Sequence, residues 1–338
     1  MNRREFLASM AASAAGLAST AAGAGVGTRL AADEPRQIHT VTGPVSPSRL
    51  GLTLVHEHVM VDFAGADVAG PHRYDLDEVE QAALPHLERI RGLGCRTLLE
   101  CTPAYLGRDA RLLQRLAART GLNIVTNTGY YGFRSKYLPE HALTETDQQI
   151  AERWIREWER GIDGTGARPG FIKTSVNDAP LSAQDAKLIR AAALTHRATG
   201  LTVASHTGTG AAALEEIGIL ESEGVKADAF IWVHAHNEKD TSFQLRAARR
   251  GAWVSLDGLR EQSLDRILSL VETLAKERLL GQVLVSSDAG WYHVGEPGGG
   301  AFRPLDFTLT QFVPRLRERL GEAAVKRLLV ENPARALT

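Results

Sequence analysis

The chain lacks the features that would point to a macromolecular partner. Its 39 basic and 40 acidic residues leave a net charge of −1, so we expect neither nucleic-acid binding nor a polybasic membrane contact. Beyond the N-terminus, no apolar run is long enough to span a bilayer. Only two cysteines occur, and about 20 Å of extended chain would separate the Cα atoms of Cys95 and Cys101, beyond disulfide reach. We therefore expect two free thiols and a small-molecule substrate.

Two further absences bear on the fold. No Gly-x-Gly-x-x-Gly follows the first strand-like run, which disfavours a dinucleotide-binding protein. No linker rich in Pro or Ser interrupts the chain after residue 50, so we expect a single domain over residues 33–338. With 338 residues, 43% of them hydrophobic, the chain can bury a large core.

Residues 1–32 differ in composition from the rest. Arg3 and Arg4 precede an Ala/Gly/Ser-rich, weakly apolar run, and Leu30-Ala-Ala32 offers a small-residue cleavage site. A charged start, an apolar middle and a small-residue end are typical of an export signal, and paired arginines are typical of the twin-arginine route. An uncleaved N-terminal tail is the alternative. We expect a periplasmic or secreted protein that has no membrane contact after the signal is removed.

Apolar, strand-like runs alternate with helical periodicity along the rest of the chain. The expected strands cover residues 52–55, 96–101, 123–128, 170–176, 201–205, 230–234, 252–257 and 282–287. Eight strands, each followed by a helix, favour an α/β fold of the (β/α)8 TIM-barrel type, whose active site lies at the C-terminal ends of the strands. An open doubly wound sheet is the alternative.

The first strand carries the pattern around which the chain is organised, Gly51-Leu-Thr-Leu-Val-His-Glu-His-Val-Met60. Because side chains on a strand alternate between faces, His56 and His58 point the same way and Glu57 points the opposite way. Two adjacent imidazoles can hold one metal ion. A buried strand with two hydrogen-bonded histidines would give the same short pattern, so the other ligands have to come from elsewhere in the chain.

Further residues of the metal-ligand type fall at the ends of other expected strands. Strands four, five, six and eight end in Lys173, His206, His234 and Asp288. Any one of them alone has a structural explanation, such as a packed core histidine or a helix cap. Because the strand ends of a barrel meet at one rim, their coincidence predicts a metal site there.

This set of residues resembles the phosphotriesterase family of the amidohydrolase superfamily. The likeness runs from about Gly51 to the end of the chain. Besides the residues named above, it is carried by the segments Gly161-Ile, Gly170-Phe-Ile-Lys173, Ser205-His-Thr207, Ser255-Leu-Asp257, Val285-Ser-Ser-Asp288 and Asn332-Pro-Ala-Arg335. These motifs are specific for the metal site and the fold, and much less specific for the substrate.

The resemblance implies a binuclear metal centre. Its ligands would be His56, His58 and Asp288 for one ion, and His206 and His234 for the other. Lys173 would bridge the two ions as N6-carboxylysine, because a neutral amine can react with CO2 whereas an ammonium would repel the cations. A buried ion pair of Lys173 with an acid is the alternative. Imidazole and carboxylate ligands suit zinc, and also accept manganese or cobalt.

The resemblance also implies a metal-dependent hydrolase of small ester-type substrates, namely lactones or carboxylic esters, with phosphotriesters as a further class. A bridging hydroxide, available because metals lower the pKa of water to about 7, would attack the substrate. Asp288 would accept the proton as a general base. Tyr131 falls where lactonase-like members carry a tyrosine facing the metals, although a packed pocket wall would also explain it. The alternatives are an amide or cyclic-imide hydrolase and a non-catalytic protein that keeps the metal site.

Some details stay open at this point. The segment Val233-His-Ala-His236 offers two histidines, of which His234 fits the family register better when counted back from Ser255-Leu-Asp257. Some members carry a His after the strand-seven aspartate, where this chain has Gly258, and an Asp where it has Asn237. A proton relay built from those groups is therefore in doubt. Barrels of this kind often pair, so a homodimer is also open.

Overall fold

The structure is a computed structural model that describes residues 36–338. The expected signal segment, residues 1–32, lies outside the described residues, so the signal and the domain boundary after it stay predictions. Among residues 36–338, no helix combines the length and the apolar character needed to cross a bilayer.

The described part of the chain contains twelve strands. The first two form a small antiparallel hairpin, and the others are parallel to their neighbours. The strands are β1 Ile38–Thr40, β2 Gly43–Val45, β3 Thr53–Val61, β4 Thr97–Glu100, β5 Asn123–Val125, β6 Asn127–Thr128, β7 Phe171–Ser175, β8 Thr202–His206, β9 Phe230–Val233, β10 Trp253–Leu256, β11 Val283–Val285 and β12 Gly290–His293.

Helices follow the strands in the order predicted from the sequence. The α-helices of residues 36–338 are α1 Leu76–Gly92, α2 Ala110–Thr120, α3 Glu140–Thr144, α4 Asp147–Arg160, α5 Ala183–Thr199, α6 Gly210–Ser222, α7 Thr241–Arg249, α8 Leu264–Lys276, α9 Val313–Lys326 and α10 Asn332–Ala336. Two π-helical segments cover Thr308–Phe312 and Arg327–Glu331. Short 3-10 turns cover Pro47–Arg49, Pro71–Arg73, Ser135–Tyr137, Ile162–Gly164, Ala227–Ala229, Ala235–Asn237, Glu261–Ser263, Leu280–Gln282 and Pro297–Gly299.

Capping residues set the ends of two of the longer helices, α4 and α5. Thr146 and Ser182 each form a capping box, at the N-termini of α4 and α5 respectively, and so satisfy backbone N–H groups that the helix leaves free. Gly200 ends α5 in the left-handed conformation, with φ 72°, which costs glycine little because it has no Cβ. These signals explain why α4 and α5 begin, and α5 ends, at these residues.

The barrel wall has eight strand positions, as the sequence predicts. Backbone pairing joins β3, β4 and β5 in one sheet and β6 to β11 in another. The strands β5 and β6 are two halves of the third wall position, interrupted at Thr126. Hydrogen bonds from Asp288 N to His56 O (3.0 Å) and from His58 N to Ala289 O (2.9 Å) join the segment after β11 to β3. The fold is therefore a TIM barrel.

Apolar side chains fill the barrel below the rim. Each wall position contributes at least one of them to a shared cluster, which includes Val55, Leu99, Val125, Phe171, Ala204, Ile231, Trp253 and Leu284. This layer closes the barrel interior, so polar side chains nearer the C-terminal rim rest on a packed floor rather than over a pore. Cys95 and Cys101 are buried free thiols, as expected, and burial raises the pKa of the Cys95 thiol to about 12.

One wall strand extends further than predicted. β3 runs to Val61 instead of ending at Val55, so His58 lies inside a strand. β7 lies within the predicted range 170–176, and Lys173 is at its middle rather than at its end. For β3 the reason is β12, which was not predicted and pairs in parallel with its upper half, Gly290 opposite His58. The pairing of β3 with β4 shifts by one residue between Leu54 and Glu57, and beyond this irregularity His56 and His58 point to the same side, as predicted.

Candidate metal centre

Three atoms of the metal-ligand type meet beside β3. The Nε2 atoms of His56 and His58 are 3.2 Å apart, and Asp288 Oδ1 is 3.1 Å from His58 Nε2 and 3.6 Å from His56 Nε2. Zinc–nitrogen bonds of about 2.0–2.1 Å at tetrahedral angles place neighbouring ligand atoms about 3.3 Å apart. The three atoms thus have the separations expected of three ligands to one ion.

The second ring nitrogen of each of these histidines is already engaged. His56 Nδ1 lies 3.0 Å from Asp257 Oδ2, and His58 Nδ1 lies 2.7 Å from the hydroxyl oxygen of Thr102. The carboxylate can only accept, and Thr102 donates its own proton to Glu100 Oε1 at 2.5 Å. Both histidines therefore carry their proton on Nδ1, which leaves the Nε2 lone pairs free to bind a metal.

His206 and His234 form the second candidate half of the centre. Their rings are in edge-to-face contact with centroids 4.4 Å apart, and the His234 ring is 5.1 Å from the His56 ring. His234 Nδ1 lies 2.8 Å from Asp257 Oδ1. One buried carboxylate thus orients one histidine from each half. His56, His234 and Asp288 each offer a ligand atom, and these atoms lie within 4.8 Å of one another.

His234 and His236 both lie beside Asp257, with His236 Nδ1 3.3 Å from Asp257 Oδ1, but they have different neighbours. His234 packs between the rings of His56 and His206, whereas the His236 ring is 5.9 Å from His234 and lies against Gly258. A Cβ atom on residue 258 would be 2.0 Å from His236 Nε2. Glycine at this position therefore makes room for an imidazole that comes from the segment after β9.

Lys173 lies in the barrel interior and is 2% exposed. Its Nζ is 3.5 Å from Thr174 O and 5.6 Å from the centre of the Tyr131 ring. The alternative interpretation, a buried ion pair with an acid, is not seen among the described residues. Burial lowers the pKa of this amine, so the neutral form that reacts with CO2 is favoured.

Tyr131 stands beside the second half of the centre. Its hydroxyl oxygen is 3.3 Å from His206 Nδ1, and the two rings are in edge-to-face contact at 5.2 Å. Burial raises the pKa of Tyr131, so the phenol keeps its proton at neutral pH and can act as a hydrogen-bond donor. The predicted position is thus compatible with contact to a substrate, and the catalytic role stays a prediction.

The protonation states suit a divalent cation. Burial lowers the pKa of His58 to about 4 and holds that of His206 well below its usual value, so both imidazoles are neutral at pH 7. Burial alone would raise the pKa of Asp288, but the imidazoles of His56 and His58 hold it below its usual value. Oδ1 of Asp288 is buried and accepts no well-aligned hydrogen bond from the described residues. The neutral imidazoles of His58 and His206 and the ionised, unsatisfied carboxylate oxygen of Asp288 are donors that zinc binds.

Two supporting residues were not predicted from the sequence. Asp257 orients His56, and the signal that could have revealed it is a carboxylate directly after a wall strand, β10. Glu57 turns away from the histidines, as predicted, and accepts hydrogen bonds from Ser287 N (2.9 Å) and Ala289 N (2.7 Å). Those two residues flank the candidate ligand at position 288. The role of Glu57 depends on a partner more than two hundred residues away and leaves no local signal.

Comparison with known proteins gives a consistent result. The profile of the phosphotriesterase family matches residues 36–337. The chain is 29% identical over 293 residues to the phosphotriesterase homology protein of Escherichia coli (strain K12), covering 84% of this chain and 97% of that protein. It is 30% identical over 209 residues to an aryldialkylphosphatase of Saccharolobus solfataricus, covering 62% and 66%. It is 25% identical over 349 residues to the N-acetyltaurine hydrolase of Xenopus tropicalis, covering 89% and 98%.

Proposed function

The chain belongs to the phosphotriesterase family of metal-dependent hydrolases, and we propose that it cleaves small ester-type substrates at a binuclear centre. Lactones and carboxylic esters are the leading substrate classes, and phosphotriesters are a further one. The proposal is carried by one observation. Nε2 of His56, Nε2 of His58 and Oδ1 of Asp288 lie within 3.6 Å of one another, and the second nitrogen of each ring is already engaged.

The proposed ligands are those that the sequence suggested. They are His56, His58, Lys173, His206, His234 and Asp288. We propose zinc as the ion, with manganese or cobalt able to replace it, because the donors are imidazoles and carboxylates. Lys173 as N6-carboxylysine would add the negative charge that a pair of cations requires. When bound, two divalent ions supply Lewis acidity and water with a pKa lowered to about 7.

The chain's own residues have separate tasks in this proposal. Asp288 Oδ1 faces the centre and is ionised, so it can accept the proton that an attacking water loses. The Tyr131 hydroxyl can donate a hydrogen bond to the substrate oxygen on which negative charge develops. Asp257 keeps His56 and His234 in the tautomer with Nε2 free.

Aromatic rings beside the centre support a substrate with an apolar group. The Trp291 ring is 4.1 Å from the His58 ring, and Phe63 stacks on Trp291 at 5.8 Å. On the other side, Phe133 lies 5.2 Å from His206. Aromatic faces contribute large apolar contact area at a fixed geometry, so aryl esters and alkyl-substituted lactones suit this wall.

Metal content and turnover test the proposal together. We expect protein supplied with zinc and bicarbonate to take up two ions per chain and to hydrolyse a chromogenic aryl ester. A chelator should abolish turnover, and added zinc should restore it. Two bound ions with no activity on an ester, lactone and phosphotriester panel would contradict the proposed reaction and favour a binding protein. Failure to take up zinc would contradict the metal centre itself.

Amide hydrolysis is a second candidate because of one comparison. The N-acetyltaurine hydrolase of Xenopus tropicalis is matched over 98% of its length, although at 25% identity. An ester and an amide with the same acyl group, p-nitrophenyl acetate and p-nitroacetanilide, separate the two functions. Our leading proposal expects a much larger kcat/KM for the ester, relative to the uncatalysed rates, and the reverse result would favour the amide.

We also propose export by the twin-arginine route, on the N-terminal pattern alone. Replacing Arg3 and Arg4 by Lys should leave the unprocessed chain in the cytoplasm, because that route reads the arginine pair. Cell fractionation measures the outcome, and unchanged delivery of the double variant would contradict the proposal. The homodimer stays a prediction that light scattering can test.

A further inference from the structure

The candidate ligand Asp288 has an uncommon backbone conformation. Its φ angle is +49°, in the left-handed region that residues with a Cβ atom rarely adopt. Trp291, three residues later, has φ +82°. Such conformations persist only where the surrounding structure holds them in place. The neighbours of Asp288 should therefore include groups that fix its peptide planes.

Two side chains hold the carbonyl oxygen of Asp288. Arg303 Nη1 donates to this oxygen at 2.8 Å, and Trp291 Nε1 donates to the same oxygen at 3.0 Å. A carbonyl oxygen has two lone pairs, and both are used here. Arg303 Nη2 also lies 3.3 Å from Ser287 O. The guanidinium of Arg303 thus binds the carbonyl oxygens of two consecutive residues, Ser287 and the candidate ligand Asp288.

The main chain of Arg303 is itself anchored beside the centre. Arg303 N donates to Gly290 O at 2.8 Å, and Gly290 N donates to Arg303 O at 3.0 Å. Gly290 has φ +100°, and a Cβ atom there would lie 1.8 Å from His58 O. The guanidinium therefore extends from a point that is fixed against β3, the strand that carries the other two ligand atoms.

The hydrogen bonds of Arg303 point to a role in positioning. Although the residue is exposed, its side-chain hydrogen bonds within residues 36–338 go to main-chain carbonyls and not to a carboxylate. A planar guanidinium suits this task, because its donors have a fixed spacing that can engage two acceptors at once. An arginine kept only for solubility would not need this geometry.

We propose that Arg303 is a positioning residue for the metal centre. Together with the indole of Trp291, it fixes the left-handed turn at Asp288, so that Oδ1 faces Nε2 of His56 and His58. This inference rests on the proposed function, because it assigns Arg303 to the metal site described above. Without the guanidinium, the peptide that follows residue 288 can rotate, and the carboxylate oxygen loses its fixed direction.

The test measures the zinc affinity of the full chain and of its Arg303 variants. Arg303→Met removes both donations and keeps most of the apolar stem, and Arg303→Lys keeps one cationic donor. We expect Arg303→Met to bind one of its two zinc ions roughly 10- to 100-fold more weakly in competition with a chromophoric chelator. We expect kcat to fall by a similar factor with little change in KM, and Arg303→Lys to recover part of both losses. Arg89→Met is the matched control, since this exposed arginine bonds to Asp306 at 3.1 Å.

A second variant keeps the inference testable if the first is poorly folded. Trp291→Phe removes the other donor to Asp288 O and keeps an aromatic ring on His58. Arg303 and Trp291 both donate to Asp288 O. The loss of zinc affinity in a variant that carries both Arg303→Met and Trp291→Phe should therefore differ from the sum of the losses in the two single variants. Arg303→Met with a lower melting temperature but wild-type affinity for both ions would show a purely structural role and overturn the inference. A wild-type chain that binds no zinc would instead overturn the proposed function.

Discussion

Replacing Asp257 by Asn should weaken zinc binding, because this one carboxylate orients a histidine in each half of the metal centre and asparagine can orient only one of them. Asp257 is fully buried and accepts hydrogen bonds from His56 Nδ1 at 3.0 Å and His234 Nδ1 at 2.8 Å. Asparagine has almost the same shape, but it has one acceptor oxygen, and its NH2 group can only donate. The histidine that faces the NH2 must move its proton to Nε2, and it then has no lone pair for a metal ion.

The expected size of the effect follows from the state of this carboxylate. Burial alone would raise the pKa of Asp257, but the imidazoles of His234 and His56 hold it well below its usual value, so the group is ionised. Hydrogen bonds to charged groups contribute about 1.5–3 kcal/mol each. Since one of the two histidines loses its correct tautomer, we expect zinc to bind about 100-fold more weakly, which corresponds to about 2.7 kcal/mol.

Chelator competition measures the zinc affinity of Asp257→Asn, and circular dichroism with thermal melting checks the fold. The kcat for an aryl ester should fall by a factor similar to the loss of affinity. Asp185→Asn is the matched control, because Asp185 is also a buried carboxylate but serves the capping box of α5. That control should lose stability and keep its zinc affinity. Wild-type zinc binding by Asp257→Asn would refute the argument that this carboxylate sets the histidine tautomers.

Three further predictions concern single residues. Asp288→Asn should lower kcat by at least about 100-fold, because the general base is lost, and near-normal kcat with both ions bound would contradict that role. Gly258→Ala should destabilise the fold by about 1–3 kcal/mol, since the new Cβ would lie 2.0 Å from His236 Nε2. Gly218→Ala is the control: no atom lies within 4 Å of its new Cβ in α6, and it should stabilise the fold by about 0.5–1 kcal/mol. Equal melting temperatures for these two glycine variants would contradict the steric argument. Burial raises the pKa of Glu216 from 4.5 to about 8. Between these pH values the folded chain keeps a proton on Glu216 that the unfolded chain has lost, so the free energy of unfolding falls as the pH rises from 4.5 to 8. Glu216→Gln should flatten that loss in urea unfolding at pH 5.5, 7 and 8.5, and an unchanged slope would refute the assignment.

The parts of the structure that could be predicted are those with a local signal. His56 and His58 are two residues apart on a strand, so they could be predicted to point the same way. The alternation of strands and helices indicates the barrel. Residues at the ends of wall strands could be assigned to one rim because the topology of the barrel brings those ends together. Each of these inferences needs only a short stretch of chain and a general rule of chain geometry.

The parts that could not be predicted depend on distant partners. The strand β12 has only four residues, begins with Gly290 and is followed by a glycine-rich segment, so Trp291 and Tyr292 alone are too short a signal to predict a strand. Its pairing with β3 is decided by the closure of the barrel. The same holds for Arg303, whose hydrogen bonds to Asp288 O and Ser287 O place it beside the centre. An exposed arginine in a loop gives no sequence signal of that kind.

The backbone at the centre is held in a strained conformation. Nε2 of His56, Nε2 of His58 and Oδ1 of Asp288 lie within 3.6 Å of one another. Two of the proposed ligands, His234 and Asp288, also have positive φ angles, at 67° and 49°. Backbone strain opposes this arrangement, so contacts outside the ligand set have to maintain it. Asp257 and Glu57 provide such contacts. Because folding already places the ligands, metal binding does not have to provide the free energy for ordering them.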